Sequence, residues 1–198
     1  MEVKRVTLEG KNVRLVPMSV DHFEQLCDAG LHDDIWKFMP TPMRNRDDMR
    51  EYVETALRLR DLGTALPFVT IEKLNNVVAG STRYLNIDRT HQRLEIGSTW
   101  ITPQWQRSRV NTEAKYLLLS HSFEVLGCIR VEFKTDSLSA RSRKALVRIG
   151  AKEEGTLRNH MIMPDGRLRH SVYYSIIRSE WSDVKKRLEQ MLDRPQKD

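Results

Sequence analysis

The stretch Ile129-Arg130-Val131-Glu132-Phe133-Lys134-Thr135-Asp136 puts Ile129, Val131, Phe133 and Thr135 on one side and charged residues on the other, the period-two signature of a half-buried strand. Just before it the period changes. From Thr112 to Leu126, Ala114, Leu117, Leu118, His121 and Val125 recur at helical spacing, and Gly127 supplies the stop. Upstream again, Arg93 to Ile101 reads as a strand. Strand, helix and strand in succession from Arg93 to Asp136 imply a right-handed crossover joining two parallel strands.

The flanks of this unit read as antiparallel. Leu66 to Glu72 and Val77 to Asn86 are strands separated by Lys73-Leu74-Asn75-Asn76, good hairpin chemistry, and they lead into Arg93–Ile101 as a meander. Before them, Val13 to Val16 is a strand, Ser19 is set to cap a helix running to about Ala29, and a second helix spans Asp47 to about Leu62, with Gly63 behind it. After the crossover, Ser139 to Ile149 reads as a helix capped by Ser139 and closed by Gly150. Strands from about Ala151 to Met163 and Leu168 to Ile177, turned by Pro164-Asp165-Gly166, complete the sheet. A charged amphipathic helix from Ser182 to Asp193 packs on it through Val184, Leu188 and Met191. The expected class is α/β (α+β): one domain over 1–198, with a mixed, mostly antiparallel sheet and helices on both faces.

Composition agrees. With 198 residues the chain supports one domain with a real core, and 39% hydrophobic residues against only 9 Gly and 7 Pro exclude a disordered or collagen-like chain. No run approaches the roughly 18–20 apolar residues of a membrane span, and the basic pair Lys4-Arg5 has no apolar segment behind it, so no membrane partner, no secretory signal and a cytoplasmic address are expected. Cys27 and Cys128 lie far apart, with no CxxC and no His at ligand spacing, which argues against a metal site or a disulfide and for buried thiols. The net charge of +6 comes from small clusters, Arg44/Arg46/Arg50, Arg107/Arg109, Arg141/Arg143/Lys144/Arg148 and Arg167/Arg169, interleaved with acids and apolar residues. Such clusters suit a compact polyanion with a few phosphates better than a nucleic-acid duplex, and no nucleic-acid partner is expected.

The chemistry points to the strand-to-helix junction from Trp100 to Ala114, where backbone N–H groups and a helix dipole form an anion site. Together with Phe123-Glu124-Val125-Leu126-Gly127-Cys128-Ile129-Arg130-Val131, the Arg141-Ser142-Arg143 helix and the turn Ile149-Gly150-Ala151-Lys152-Glu153-Glu154-Gly155, this junction resembles the GNAT acetyltransferase superfamily, in its RimJ/RimL-like branch of ribosomal-protein N-terminal acetyltransferases. The resemblance covers nearly the whole chain, and the derived order of elements agrees with it.

The resemblance implies a GNAT fold whose parallel strands splay apart, acetyl-CoA as co-substrate, no metal, and direct transfer to an amine of a protein N-terminus or small molecule, with a homodimer held open. Its pyrophosphate loop falls on Gln106, Arg107, Ser108, Arg109, Val110 and Asn111, continuing to Thr112, with Arg109 and Asn111 where the family has glycine. A non-glycine residue held left-handed there costs about 1–2 kcal/mol. Thr99, Trp100 and Ile101 match the strand end whose backbone holds the pantetheine arm. Glu95 matches a general-base position, and alternation sets Glu95, Gly97 and Thr99 on one face, with Gly97 leaving room for substrate. Ser142 matches the serine of an Asn-x-x-Ser pattern and assists the departing thiolate, while Ser139 stands where that pattern has Asn. Tyr173 and Tyr174 are alternative proton donors, and Arg141, Arg143 and Lys144 lie in reach of phosphates. Trp36, Phe38 and Met39, in the apolar stretch Ile35 to Pro42, match the acceptor pocket. Two other readings remain at this stage: a degenerate GNAT domain that binds CoA or a partner without efficient catalysis, and packing roles for each of these residues.

Overall fold

Alternating strands need a partner for each apolar face, and the computed structural model, which describes residues 1–194, supplies one on either side of a single sheet. The expected domain limits of 1–198 therefore include four residues, 195–198, outside the described part. The strands are β1 (Leu8–Glu9), β2 (Val13–Pro17), β3 (Leu66–Glu72), β4 (Val77–Asp88), β5 (Arg93–Ile101), β6 (Arg130–Asp136), β7 (Lys152–Ile162) and β8 (Leu168–Ile177), in spatial order β1-β2-β3-β4-β5-β6-β8-β7. β5 and β6 are parallel, and every other neighbouring pair is antiparallel. The helices are α1 (Phe23–Gly30), α2 (Asp33–Trp36), α3 (Arg46–Asp61), α4 (Val110–Ser120), α5 (Ala140–Ile149) and α6 (Trp181–Asp193). None of them is long and apolar enough to cross a membrane.

One face packs Leu94, Ile96, Val131, Phe133, Val172 and Tyr174 beneath α4, α5 and α6. The other packs Val69, Ile71, Val78 and Trp100 against α1 and α3. Local chemistry sets the ends of these helices. The Asn45 side chain accepts from the amides of Asp47 and Asp48, both at 3.0 Å, and Gly150 closes α5 at φ +100°.

Three local readings change. β1 is too short to leave a pattern, and α2 is one turn inside a stretch that reads as loop. The predicted helix Thr112–Leu126 is α4 followed by a π-helical turn, His121–Val125. There the Leu118 carbonyl accepts the Tyr84 hydroxyl at 2.7 Å and the Ser122 hydroxyl at 2.8 Å. Inserting a polar side chain into the helical ladder is a known cause of such a turn.

The decisive departure is in β5. β6 pairs with it only at Arg93↔Arg130, Leu94↔Val131 and Glu95↔Glu132, after which the two strands separate. Against β4, Gly97 pairs with Arg83 and Trp100 with Ser81, so Ser98 and Thr99 together oppose Thr82, and Ser98 adopts φ +47°. This is a β-bulge, and it reverses the alternation. Leu94 and Ile96 stay in the α4-side core, whereas Trp100 joins the α1/α3-side core. The expectation that Glu95 and Thr99 share a face is thereby corrected: Glu95 points to the α1/α3 side, and Thr99 to α4, where its Oγ1 meets Lys115 Nζ at 2.7 Å.

Candidate active site

Separation of β5 from β6 beyond Glu95 leaves the β6-facing backbone of Thr99, Trp100 and Ile101 without a strand partner. Their side chains do other work. Thr99 hydrogen-bonds Thr82 at 2.8 Å, the Trp100 indole donates to the Tyr52 hydroxyl at 3.1 Å, and the Ile101 carbonyl accepts Gln106 Nε2 at 2.9 Å. That last bond ties the following loop to the strand end.

Within the loop, the Ser108 hydroxyl donates to the Trp105 carbonyl at 2.6 Å and accepts the Val110 amide at 3.2 Å. Among the described residues the amides of Asn111 and Thr112 find no partner, so the start of α4 presents unpaired donors to an anion. The anticipated strain at the substituted glycines does not arise. Arg109 is right-handed (φ −71°, ψ −17°) and Asn111 lies in α4, while the loop's positive φ, +64°, falls on Arg107. Thr112 Oγ1 accepts from Arg148 Nη2 at 3.0 Å, which places a guanidinium beside the same helix end.

Across the opening, α5 begins at Ser139. Its side chain makes no capping bond, contrary to the sequence reading, although its carbonyl takes the Arg143 amide at 3.0 Å. Ser142 lies half-buried on the first turn with its hydroxyl uncommitted. Arg143, expected near phosphates, instead bonds Tyr174 Oη at 3.2 Å and Glu153 at 3.3 Å. Arg141 and Lys144 are exposed. The tyrosine pair divides as alternation requires. Tyr174 is fully buried in the α4-side core and donates to Glu153, while Tyr173 is half-buried on the face of Glu95.

Glu95 is 3% exposed. Its Oε2 accepts Asn86 Nδ2 at 2.9 Å and lies 3.7 Å from Lys134 Nζ, while Oε1 has no hydrogen-bond partner among the described residues. Burial raises its pKa above the ordinary carboxylate range, and Lys134 and Asn86 oppose that shift. The space expected above Gly97 belongs to Glu95 itself: a Cβ built there would sit 2.7 Å from Oε1 and 2.9 Å from Leu85 Cδ1. Glycine is needed so that the carboxylate can lie flat over the strand.

Of the acceptor-pocket residues, Trp36 is 6% exposed, donates its indole to the Gly30 carbonyl at 2.7 Å and packs against Tyr52 and Trp100. Phe38 and Met39 are half-buried on the loop that follows. Three residues to which the sequence reading gave no place in the site matter here. Lys134 lies on the polar side of the alternation that defined β6, a legible signal. Arg169 and Lys115 are buried, which a charged letter does not announce. Lys115 has no ion-pair partner among the described residues, and burial pushes its pKa down to about 7.

Comparison with known proteins bears on this arrangement. A family model described as "Acetyltransferase (GNAT) domain" matches residues 12–152. The Bacillus subtilis (strain 168) protein named "Putative ribosomal N-acetyltransferase YdaF" is 32% identical over 100 residues; the match spans 50% of this chain and 54%, about half, of that relative. A solved GCN5-related N-acetyltransferase from Brucella melitensis is 29% identical, with 96% of this chain and 86% of that one covered at a TM-score of 0.89. A "putative acetyltransferase from T. thermophilus" is 33% identical over 97% of this chain and 100% of its own, at a TM-score of 0.87.

Proposed function

The chain belongs to the GNAT acetyltransferase family, and from that premise we propose that it transfers the acetyl group of acetyl-CoA to a primary amine by direct attack in a ternary complex. The observation that carries the proposal is the buried Glu95 carboxylate, with one oxygen free, at the apex where β5 parts from β6. Acetyl-CoA, when bound, supplies the acyl group as a thioester. The unpaired amides at the start of α4 and the nearby Arg148 fit its phosphates, and the open edge of β5 from Thr99 to Ile101 fits its amide-bearing arm.

Attack requires a neutral amine. Glu95 Oε1 takes the amine proton, directly or through water, while Asn86 and Lys134 hold Oε2 and so aim the carboxylate. Backbone donors of the bulged strand polarise the carbonyl, and the Ser142 hydroxyl assists the departing sulfur. The acceptor is an amine of a protein N-terminus or a small molecule, the former favoured by the ribosomal designation of the Bacillus subtilis relative. The proposal treats the chain as one cytoplasmic domain and invokes no metal, membrane or nucleic acid.

Calorimetric titration with acetyl-CoA, run beside a thiol-release assay over peptides and small amines, tests it. Saturable binding with amine-dependent thiol release is the expected result. Binding without release from any amine would leave a domain that holds CoA but does not transfer, and absence of binding would refute the placement of the cofactor.

A further inference from the structure

The acceptor side of the sheet buries more positive charge than its carboxylates neutralise. On this face β6 presents Glu132, Lys134 and Asp136 beside Ser175, Tyr173 and Ser171 of β8, with Arg169 two residues beyond. Each acid is already engaged. Asp136 pairs with Arg167 at 2.6 Å, Glu132 with Arg130 at 2.8 Å and Arg93 at 3.2 Å, and Glu95 with Lys134 at 3.7 Å.

Arg169 is left over. It is only 4% exposed, and its Nε and Nη1 donate to neutral acceptors, Ser171 Oγ at 3.1 Å and the Phe38 carbonyl at 3.4 Å. Its Nη2 has no partner among the described residues but is not itself enclosed, so it opens onto space a ligand can reach, and no carboxylate of those residues lies within ion-pair distance. A guanidinium cannot shed its proton in a protein, so burying one unpaired is costly unless an anion completes it. Its position is informative: one side touches the loop of Phe38, and the field of Glu95 reaches it from the other. Arg83, also 4% exposed, repeats the pattern opposite Gly97, stacked 4.1 Å from the Tyr52 ring with a buried, unpartnered Nε. The α4 amides that would hold phosphates belong to a helix packed on the other face of the sheet, away from both groups.

We propose that the acceptor carries a carboxylate close to its reacting amine, and that Arg169 binds that carboxylate. This rests on the acetyl-transfer reading and narrows its substrate class. A free amino acid and a peptide N-terminus bearing an acidic residue share the required chemistry.

The test compares acceptors matched in shape and differing in one carboxylate, glycine with glycinamide and the peptide amides Ala-Glu-Ala with Ala-Gln-Ala, with rates expressed per neutral amine because a neighbouring carboxylate also raises the amine pKa. The expected kcat/KM advantage of the carboxylate member is about tenfold or more, as for a charge-assisted pair. R169M should abolish that preference, the carboxylate member losing about tenfold more than the neutral one, and R169K should restore part of it. Discrimination in the peptide pair alone identifies a peptide N-terminus, and in the glycine pair alone a free amino acid. No preference in the wild type, or equal loss for both members in R169M and in R169K, overturns the inference and makes Arg169 a loop anchor. Calorimetry with the corresponding N-acetylated products in the presence of CoA needs no turnover. Carboxylate-selective binding that R169M or R169K weakens supports the inference even where thiol release fails, in which case only the transfer reading falls; binding without selectivity, or none, overturns it.

Discussion

Glu95 and Lys115 are buried titratable groups that approach the same strand from opposite faces, and their surroundings differ in kind. Glu95 has Asn86 and Lys134 on one oxygen and, among the described residues, no hydrogen-bond partner on the other. Among the described residues Lys115 hydrogen-bonds only the hydroxyl of Thr99, itself bonded to Thr82. Burial moves each toward its neutral form, but only the carboxylate has a charged neighbour that partly restores ionisation. In the proposed function the first group exchanges a proton with the acceptor, whereas the second contacts the bulged strand through Thr99. The bulge at Ser98 keeps them apart: with unbroken alternation, Thr99 would project beside Glu95 and α4 would lose its contact.

Four experiments would break or sharpen that contrast. Glu95→Gln keeps the Asn86 contact and removes the base, so kcat should fall by about 10²–10⁴-fold while acetyl-CoA affinity, read by calorimetry, stays within about twofold. An unchanged turnover would end the assignment. Gly97→Ala drives a methyl into Glu95 Oε1 and Leu85, and displacing the base by about 1 Å should cost on the order of 10²-fold in kcat. Combined with Glu95→Gln it should add little, because both act on one carboxylate.

Lys115→Met addresses the other face through stability. The folded state holds this amine at about pKa 7, against about 10.4 when unfolded, so between those values the unfolded chain binds more protons. Wild-type stability should therefore rise with pH above about 7, by up to about 1.4 kcal/mol per unit, be complete above the unfolded pKa, and be lost as pH falls back through 7. Denaturant midpoints of the methionine variant should lack that rise. The mildest change is Ser139→Ala. With no capping bond to lose, it should shift stability by less than about 0.5 kcal/mol, whereas Asn45→Ala, which removes two observed bonds, should cost about 1 kcal/mol. Equal effects at the two caps would mean that Ser139 caps α5 in solution.

Along the same strand, legibility changes at Ser98. Three strands, Leu66–Glu72, Arg93–Ile101 and Leu168–Ile177, have the boundaries their sequences predict, because alternation and breakers act within a few residues. The crossover and its parallel pair were legible for the same reason, since strand, helix and strand admit one hand. By contrast, the bulge depends on which residues of β4 lie opposite, and nothing in Glu95-Ile96-Gly97-Ser98-Thr99 marks where pairing skips.

The sequence by itself determined most of the elements and their order, and through local spacing and resemblance it named Glu95, Ser142 and the loop from Gln106 to Thr112 as candidates. Only the tertiary structure decided that Thr99 faces α4, that Glu95 fills the space above Gly97, that Ser139 does not cap, and that Lys115 and Arg169 are buried without a counter-ion among the described residues. The physical reason is that period assigns a side chain to a face, whereas its charge state and partners depend on groups brought from distant parts of the chain when the sheet closes.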